Sequence, residues 1–481
     1  MINIEEINLD ELFGKDRAQE DKNLEKYFIK TQYYDDIISG NKELVLGRKG
    51  SGKSSLFSIL SQELSKQGSV IKVSPKGEDY IQIKENVSQL SDISLDEDFK
   101  YALVWKDYIL TELSLSIIKN HDTPELKKYL KSQNKLDDSF VLKFTKSILK
   151  VFGDSSLKAK AGDMEVGFNI DFSGLFSLTD SSDLEKVKAE ITETITENMF
   201  FVLFDNLDEP WKNTPEMNSW LRGLILSMRQ LKRDFQNLKL ICFLRNDIFD
   251  QISQGSDLFD AKNEIIRLNW KDDQYYSLQK MISTRIAVYL KRDKPNTLRE
   301  FNYLWCELFP IRVPLKNRDV YTINYIIDRT FARPRELIQF CRLALEKSNS
   351  KVCPIPYESI FSAARDFSDW KLIDLVGEYS KTYKNIDKCI LSLAGIPARD
   401  WSISYKKLDE HFNTLNDDER IYNLVTNTYL QNHEIIELLY KSGFLRQKRR
   451  NRFLTYEDES YFNKRIVIFD IHHAFRNKLF T

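Results

Sequence analysis

The stretch ELVLGRKGSGKSS, residues 43–55, runs a short apolar segment into three glycines within six positions. The chain of 481 residues holds only 16 glycines, so this cluster is not a matter of composition. Glycine costs backbone entropy and is kept where a chain turns sharply or something must approach its backbone. Gly47, Arg48, Lys49, Gly50, Ser51, Gly52, Lys53 and Ser54 fit G-x-x-x-x-G-K-[ST] at every fixed position, and Ser55 follows. In that pattern backbone N–H groups cradle a phosphate at a helix N-terminus, the lysine reaches the outer phosphates, and the hydroxyl ligates magnesium. SLFSILSQEL (55–64) has helical apolar spacing, so strand, loop and helix follow in the order the pattern needs. ATP with Mg2+ is the expected ligand.

Five apolar runs flanked by turn residues predict buried parallel strands at 43–47, 70–74, 199–204, 238–244 and 264–268. Helical stretches between them predict an α/β fold, a five-stranded parallel sheet with crossover helices. More than one crossover separates the second and third runs, which predicts an insertion at about 76–190. Within it, helices are expected around 98–119, 124–131, 138–151 and 182–198. A period-two stretch, 164–172, reads as a strand in a hairpin with 156–161. The insertion either carries recognition or packs on the core. The pattern is helical from about 270 to 380. Helices at about 383–394, 404–413 and 418–442, then a ribbon with a basic tip, give a winged-helix layout. The expected domains are an N-terminal helical segment (1–40), a core (41–270), a helical lid (271–380) and a winged-helix domain (381–481).

Charge and cysteine usage remove several function classes. Net charge is -1, so any nucleic-acid surface is local. No apolar run approaches about 18 residues, and the acidic N-terminus lacks a signal-peptide layout, so a cytoplasmic protein without a membrane is expected. Five dispersed cysteines without a CxxC pair fit reduced thiols, not a disulfide framework or zinc site.

Four further segments bear on phosphate chemistry. FDNLDEPW ends the third strand, and Asp205 is placed to hold magnesium there. Asp208 or Glu209 could orient or deprotonate the attacking water, and the sequence leaves that choice open. FLRNDIFD ends the fourth strand, so Arg245 and Asn246 emerge at the same sheet edge. Arg245 could meet a γ-phosphate or pair with Asp247 or Asp250. FARPREL opens a helix with Arg333, Pro334 and Arg335, two cations opposing the dipole, met either by an anion or by solvent. In RQKRRNR, Arg446, Lys448, Arg449, Arg450 and Arg452 could contact the phosphates of double-stranded DNA. The preceding HEIIELLYKSG offers a poorer, partly acidic face, so protein contact or packing on the ATPase is equally open.

Together these motifs resemble the AAA+ and STAND superfamilies of P-loop ATPases. DNLDE resembles the DGLDE of NACHT-type members, with Asn206 for glycine. ARPREL resembles the sensor-two helix of archaeal origin-recognition ATPases at Arg335, and the G-x-P of STAND proteins at Pro334, with Ala332 for glycine. LFGKDRAQEDKNLEKYFIKTQYYDDII, LRNDIFD and IHHAFRNKL resemble a bacterial P-loop ATPase family with relatives among phage-defence genes. The resemblance implies a slow ATPase switch, with Lys53, Arg245 and Asp208 or Glu209 in catalysis. It also implies a homo-oligomer or a separate effector as partner. The alternative is a winged-helix ATPase that loads on or remodels duplex DNA.

Overall fold

The computed structural model describes residues 2–479 except 16–17, 41, 76–95, 133–142, 145–180, 208–210, 212–213, 254–262, 272–275, 317, 397–401, 451, 457–461 and 464. The expected helix at 138–151 and hairpin at 156–172 lie outside the described residues, apart from 143–144. The chain divides into two compact units, Lys15–Asn269 and Met1–Gly14 with Trp270–Thr481.

The first unit is a mixed α/β body around one parallel sheet. Its strands are β1 (Leu44–Leu46), β2 (Ser69–Val73), β3 (Phe200–Phe204), β4 (Leu238–Leu244) and β5 (Ile265–Arg267), in the order β2-β3-β4-β1-β5. Every pairing is parallel, with Leu46 opposite Leu244 and Arg267, and Phe204 opposite Cys242. The uniform apolar runs exist because both faces are covered, and β3 is buried at every residue. Each strand lies inside or within one residue of the run that predicts it.

Helix α1 (Lys53–Leu64) follows β1. Between β2 and β3 lie α2 (Glu97–Asn120), α3 (Pro124–Ser132) and α4 (Ser181–Glu197); α5 (Pro215–Asp234) and α6 (Asn246–Ile252) flank β4. Helix α2 packs along α5 as part of the core, so this piece of the insertion is structural. Trp105 of α2 packs against Trp220 of α5, ring centroids 4.9 Å apart and planes tilted by 46°, and donates to its carbonyl at 3.0 Å. The two helices touch closely at Gly223: a Cβ there would lie 2.5 Å from Tyr101 Cβ and 2.7 Å from the Ala102 nitrogen.

The second unit begins with α7 (Tyr276–Tyr289) and α8 (Leu298–Trp305), followed by an antiparallel hairpin of β6 (Arg312–Leu315) and β7 (Arg318–Tyr321). This hairpin interrupts the expected all-helical stretch. Helices α9 (Thr322–Ile327), α10 (Pro334–Glu346) and α11 (Tyr357–Tyr379) come next. Residues 2–14 belong to this unit: Arg342 donates to Asp10 at 2.9 Å, and Arg285 to the Phe13 carbonyl at 2.6 Å.

The last hundred residues hold β8 (Tyr383–Lys384), α12 (Ile386–Ser392), β9 (Ser402–Ser404), α13 (Tyr405–Asn413), β10 (Tyr422–Asn423), β11 (Thr428–Tyr429) and α14 (Asn432–Lys441). Then come β12 (Leu445–Arg449), β13 (Arg452–Leu454), β14 (Ile468–Ile471) and α15 (His473–Leu479). Strands β13-β12-β14-β9 form one antiparallel sheet. The helix expected over 418–442 is a hairpin in its first half. Asn427 takes φ 55°, and the Asn423 side chain accepts from the Val425 and Thr426 amides, turn chemistry that competes with helix.

No helix among the described residues is long and apolar enough to cross a membrane. All five cysteines are free, and no metal-ligand cluster occurs among the described residues.

Candidate functional site

Parallel pairing brings the C-terminal ends of β1, β3, β4 and β5 to one edge, where open α/β sheets bind ligands. The Gly47 amide donates to the Leu244 carbonyl at 3.1 Å, and the Leu268 amide to the Leu46 carbonyl at 2.8 Å. The glycine loop is therefore anchored to β4 on one side and β5 on the other.

Each glycine has its own reason. At Gly47 a Cβ would lie 2.3 Å from Ser51 Oγ, so a side chain there would force Ser51 to move. Gly50 and Gly52 take φ of 82° and 95°, the left-handed region. A turn from the Ser51 amide to the Arg48 carbonyl, 3.1 Å, shapes the loop between them. Gly52 is the N-cap of α1 and offers no side-chain acceptor to its first turn. Residues such as Ser or Asp usually fill that role, and a capless, glycine-led helix start suits an incoming anion. Lys53 Nζ donates to the carbonyls of Gly47 at 2.8 Å and Arg48 at 3.3 Å. Ser54 and Ser55 follow in the first turn of α1.

Asp205 is buried at the tip of β3, its amide held by the Val73 carbonyl at 3.0 Å. Strand β4 separates it from β1, a spacing of roughly 10 Å at about 4.8 Å per strand. Asn206 adopts φ 60°, and its side-chain amide donates to Ser74 Oγ at 3.0 Å. Asparagine and glycine are the residues that accept this backbone, which accounts for Asn206 where the resembling motif has glycine. Asp208 and Glu209 lie outside the described residues.

At the β4 tip Arg245 makes a two-pronged pair with Asp247, at 3.1 and 2.6 Å. Desolvation pushes the Asp247 carboxyl up, but Arg245, helped by Arg48, outweighs it and holds the pKa below the ordinary carboxylate range. Asp250 instead takes Arg267 at 2.8 Å. Of the alternatives open in the sequence for Arg245, the pair with Asp247 is formed. Asn246 Oδ1 is buried and accepts no hydrogen bond among the described residues.

The two arginines before α10 separate in role. Arg333 donates to Glu336 at 3.0 Å, and Glu336 also receives Lys371 of α11 at 3.0 Å. Glu336 relieves the conflict of cations at the helix start from within the helix, a residue that sequence reasoning passed over. Pro334 fills the first helical position, and Arg335 is exposed. Phe331 and Ala332, just before, take φ of 52° and 53°, strained for residues with a Cβ. Phe331 stacks on His472 at 3.8 Å with rings 7° apart, which holds the strained pair in place.

The residues of the basic tip differ in their surroundings. Arg446 is committed to Asp470, at 2.7 and 2.6 Å, and Arg476 joins the same carboxylate at 2.8 Å. It is half-buried and ion-paired within its own sheet. Lys448, Arg450 and Arg452 are exposed, and Arg449 is half-buried. Asp470, 24 residues further on, was the missed partner, and no local pattern announces it.

Residues 276–376 match the FunZ-associated C-terminal helical domain. That segment, about a fifth of the chain, runs from α7 into α11. The chain is also 23% identical over 462 residues to an Escherichia coli (strain K12) protein described as "Putative transposon gamma-delta 80.3 kDa protein". The alignment covers 91% of this chain and 62% of that one, so the chain spans about three-fifths of its relative's length.

Proposed function

We propose that the chain binds magnesium-ATP at the β1–α1 loop and hydrolyses it as a nucleotide-controlled switch of the AAA+/STAND kind. The observation that carries this reading is the glycine-led, uncapped start of α1, with a buried carboxylate, Asp205, at the same sheet edge. Backbone N–H groups from Gly47 to Ser55 would hold the phosphates, Lys53 would neutralise them, and Ser54 and Asp205 would hold Mg2+. When bound, magnesium-ATP supplies the phosphoanhydride and the cation that polarises it.

The protein's part is positional. Glu209 or Asp208 would take a proton from the attacking water at a carboxylate oxygen. Arg245 would exchange Asp247 for phosphate oxygens, with Asn246 beside it, which makes the β4 tip the sensing element. Pro334 and Arg335 open the helix that would answer it in the helical region, the lid of this reading. Output would pass to a second copy or a separate effector in phage defence. Steady-state turnover tests the reading: Glu209→Gln should retain ATP without hydrolysing it. Turnover lost in Asp208→Asn and kept in Glu209→Gln assigns the carboxylate to Asp208, and turnover kept in both overturns hydrolysis at this site.

A second reading is favoured by one observation: Lys448, Arg450 and Arg452 are exposed at the β12–β13 turn and make no ion pair among the described residues. We read β9, α12–α14 and β12–β14 as a winged helix whose wing contacts duplex DNA. Salt-dependent binding of a duplex tests it, and no binding at low salt overturns it.

A further inference from the structure

We propose that Asp247 competes with the terminal phosphate of ATP for Arg245, and so sets how strongly the site prefers a triphosphate to a diphosphate. The proposal rests on the nucleotide reading above and adds a carboxylate to it as a positioning residue.

Strand register places the pair beside the glycine loop. Leu46 and Leu244 are partners on adjacent strands, and the Gly47 amide donates to the Leu244 carbonyl at 3.1 Å. Arg48 and Arg245 each follow directly from that bond, on strands about 4.8 Å apart. Arg245 is the N-cap of α6, and Asp247 lies two residues later, in the first turn. Nε of Arg245 donates to Asp247 Oδ1 at 3.1 Å, and Nη2 to Oδ2 at 2.6 Å. One edge of the guanidinium fork is thus engaged by a single carboxylate. The Asp247 side chain is 43% exposed, so water can take over the freed carboxylate and burial does not lock the pair.

Phosphate and carboxylate offer a guanidinium the same fork of anionic oxygens, so they are alternatives for one arginine. In a glycine loop of this pattern the backbone amides hold the inner phosphates and the lysine reaches the outer ones. A third phosphate is the group left to meet the neighbouring strand tip, and a diphosphate lacks it. Asp250, three residues beyond Asp247 on the same face of α6, supplies an internal comparison. It pairs at 2.8 Å with Arg267, whose guanidinium lies over the Phe249 ring at 5.8 Å. Arg267 is still within β5, opposite Leu46, whereas Arg245 stands one residue past Leu244, the other partner of Leu46. The two carboxylates carry equal charge, and only Asp247 holds the arginine that leaves the sheet beside the loop.

Calorimetric titration of the full chain with magnesium-ADP, and with magnesium adenylyl imidodiphosphate as a triphosphate that resists hydrolysis, tests this. Asp247→Asn should tighten the triphosphate about three- to tenfold and leave the diphosphate within about twofold. Arg245→Gln should lower the preference for triphosphate, and Arg245→Gln/Asp247→Asn should show no further change in the ratio. Asp250→Asn removes the same charge from the same helix face and should keep the wild-type ratio. Asp247→Ser repeats the test should the asparagine variant lower the melting temperature. An equal gain for both nucleotides in Asp247→Asn makes the carboxylate a source of bulk charge and overturns the proposal. A gain in ratio that survives Arg245→Gln, or a loss of triphosphate affinity in Asp247→Asn, overturns it as well. If wild type binds both nucleotides and Asp247→Asn leaves their ratio unmoved, the competition is refuted and the nucleotide site stands. If wild type binds neither, both fall.

Discussion

The ammonium of Lys53 donates to the carbonyl of Gly47 at 2.8 Å, so the first residue of α1 reaches back to where β1 ends. The loop is closed by the group that would neutralise a phosphate. Lysine therefore ties the start of α1 to the loop through two of the loop's own carbonyls.

Removing that group should separate binding from folding. Lys53→Ala loses a charged hydrogen-bonding partner worth about 1.5–3 kcal/mol, or about 10- to 150-fold in affinity for nucleotide. Thermal unfolding should move little, because the lysine is only partly buried. Titration with a fluorescent nucleotide and a melting curve on the same preparation check both halves.

The glycines make unequal predictions. Gly47→Ala brings a Cβ to 2.3 Å from Ser51 Oγ, a side-chain atom that rotation can withdraw, and should destabilise by about 1 kcal/mol. Gly52→Ala meets backbone strain instead, about 1 kcal/mol or more, and misplaces the amides at the start of α1. Urea titrations should rank Gly52→Ala as the more destabilised, with nucleotide binding impaired in both.

Gly223 tests the core. A methyl group there meets the Ala102 nitrogen at 2.7 Å, and backbone cannot swing aside as a side chain can. Gly223→Ala should force α2 and α5 apart and cost about 1–3 kcal/mol, read as a lower urea midpoint. Gly377, whose Cβ would meet nothing within 4 Å, is the control: Gly377→Ala should be neutral or mildly stabilising.

His472 gives the second unit a pH dependence. Burial holds its pKa well below 6.5, reinforced by Arg446, His473, Lys271 and Arg476. Its folded form stays neutral while the unfolded chain takes up a proton below about 6.5, so the contribution is complete above that pH. As pH falls below 6.5 it is lost, at up to about 1.4 kcal/mol per pH unit. His472 Nδ1 also accepts the Ala474 amide at 3.2 Å. His472→Asn keeps an acceptor there and removes the titration, so stability between pH 7 and 5 should fall less steeply than in wild type.

How much of this was legible in the sequence depends on range. Leu44–Leu46 and Phe200–Phe204 could be read because burial on both faces writes itself as uninterrupted apolar residues. The helix start at Gly52 and Lys53 could be read because a left-handed glycine ahead of an apolar-periodic segment is a local feature of the chain. The Arg446–Asp470 pair could not, since 24 residues separate partners joined only by strand pairing. The β6–β7 hairpin was hidden for another reason: at four residues a strand, with a proline in β6, it is too short for alternation to show. Glu336 lies within local reach, since a carboxylate in the first turn of α10 can fold back on Arg333 three residues before it.

The central claim is that the loop at residues 47–54 is a nucleotide site, and calorimetric titration of the full chain with magnesium-ATP tests it most directly. The account predicts saturable binding by wild type, lost in Lys53→Ala and weakened in Asp205→Asn only when magnesium is present. No heat of binding in wild type, or equal binding by Lys53→Ala, would contradict it.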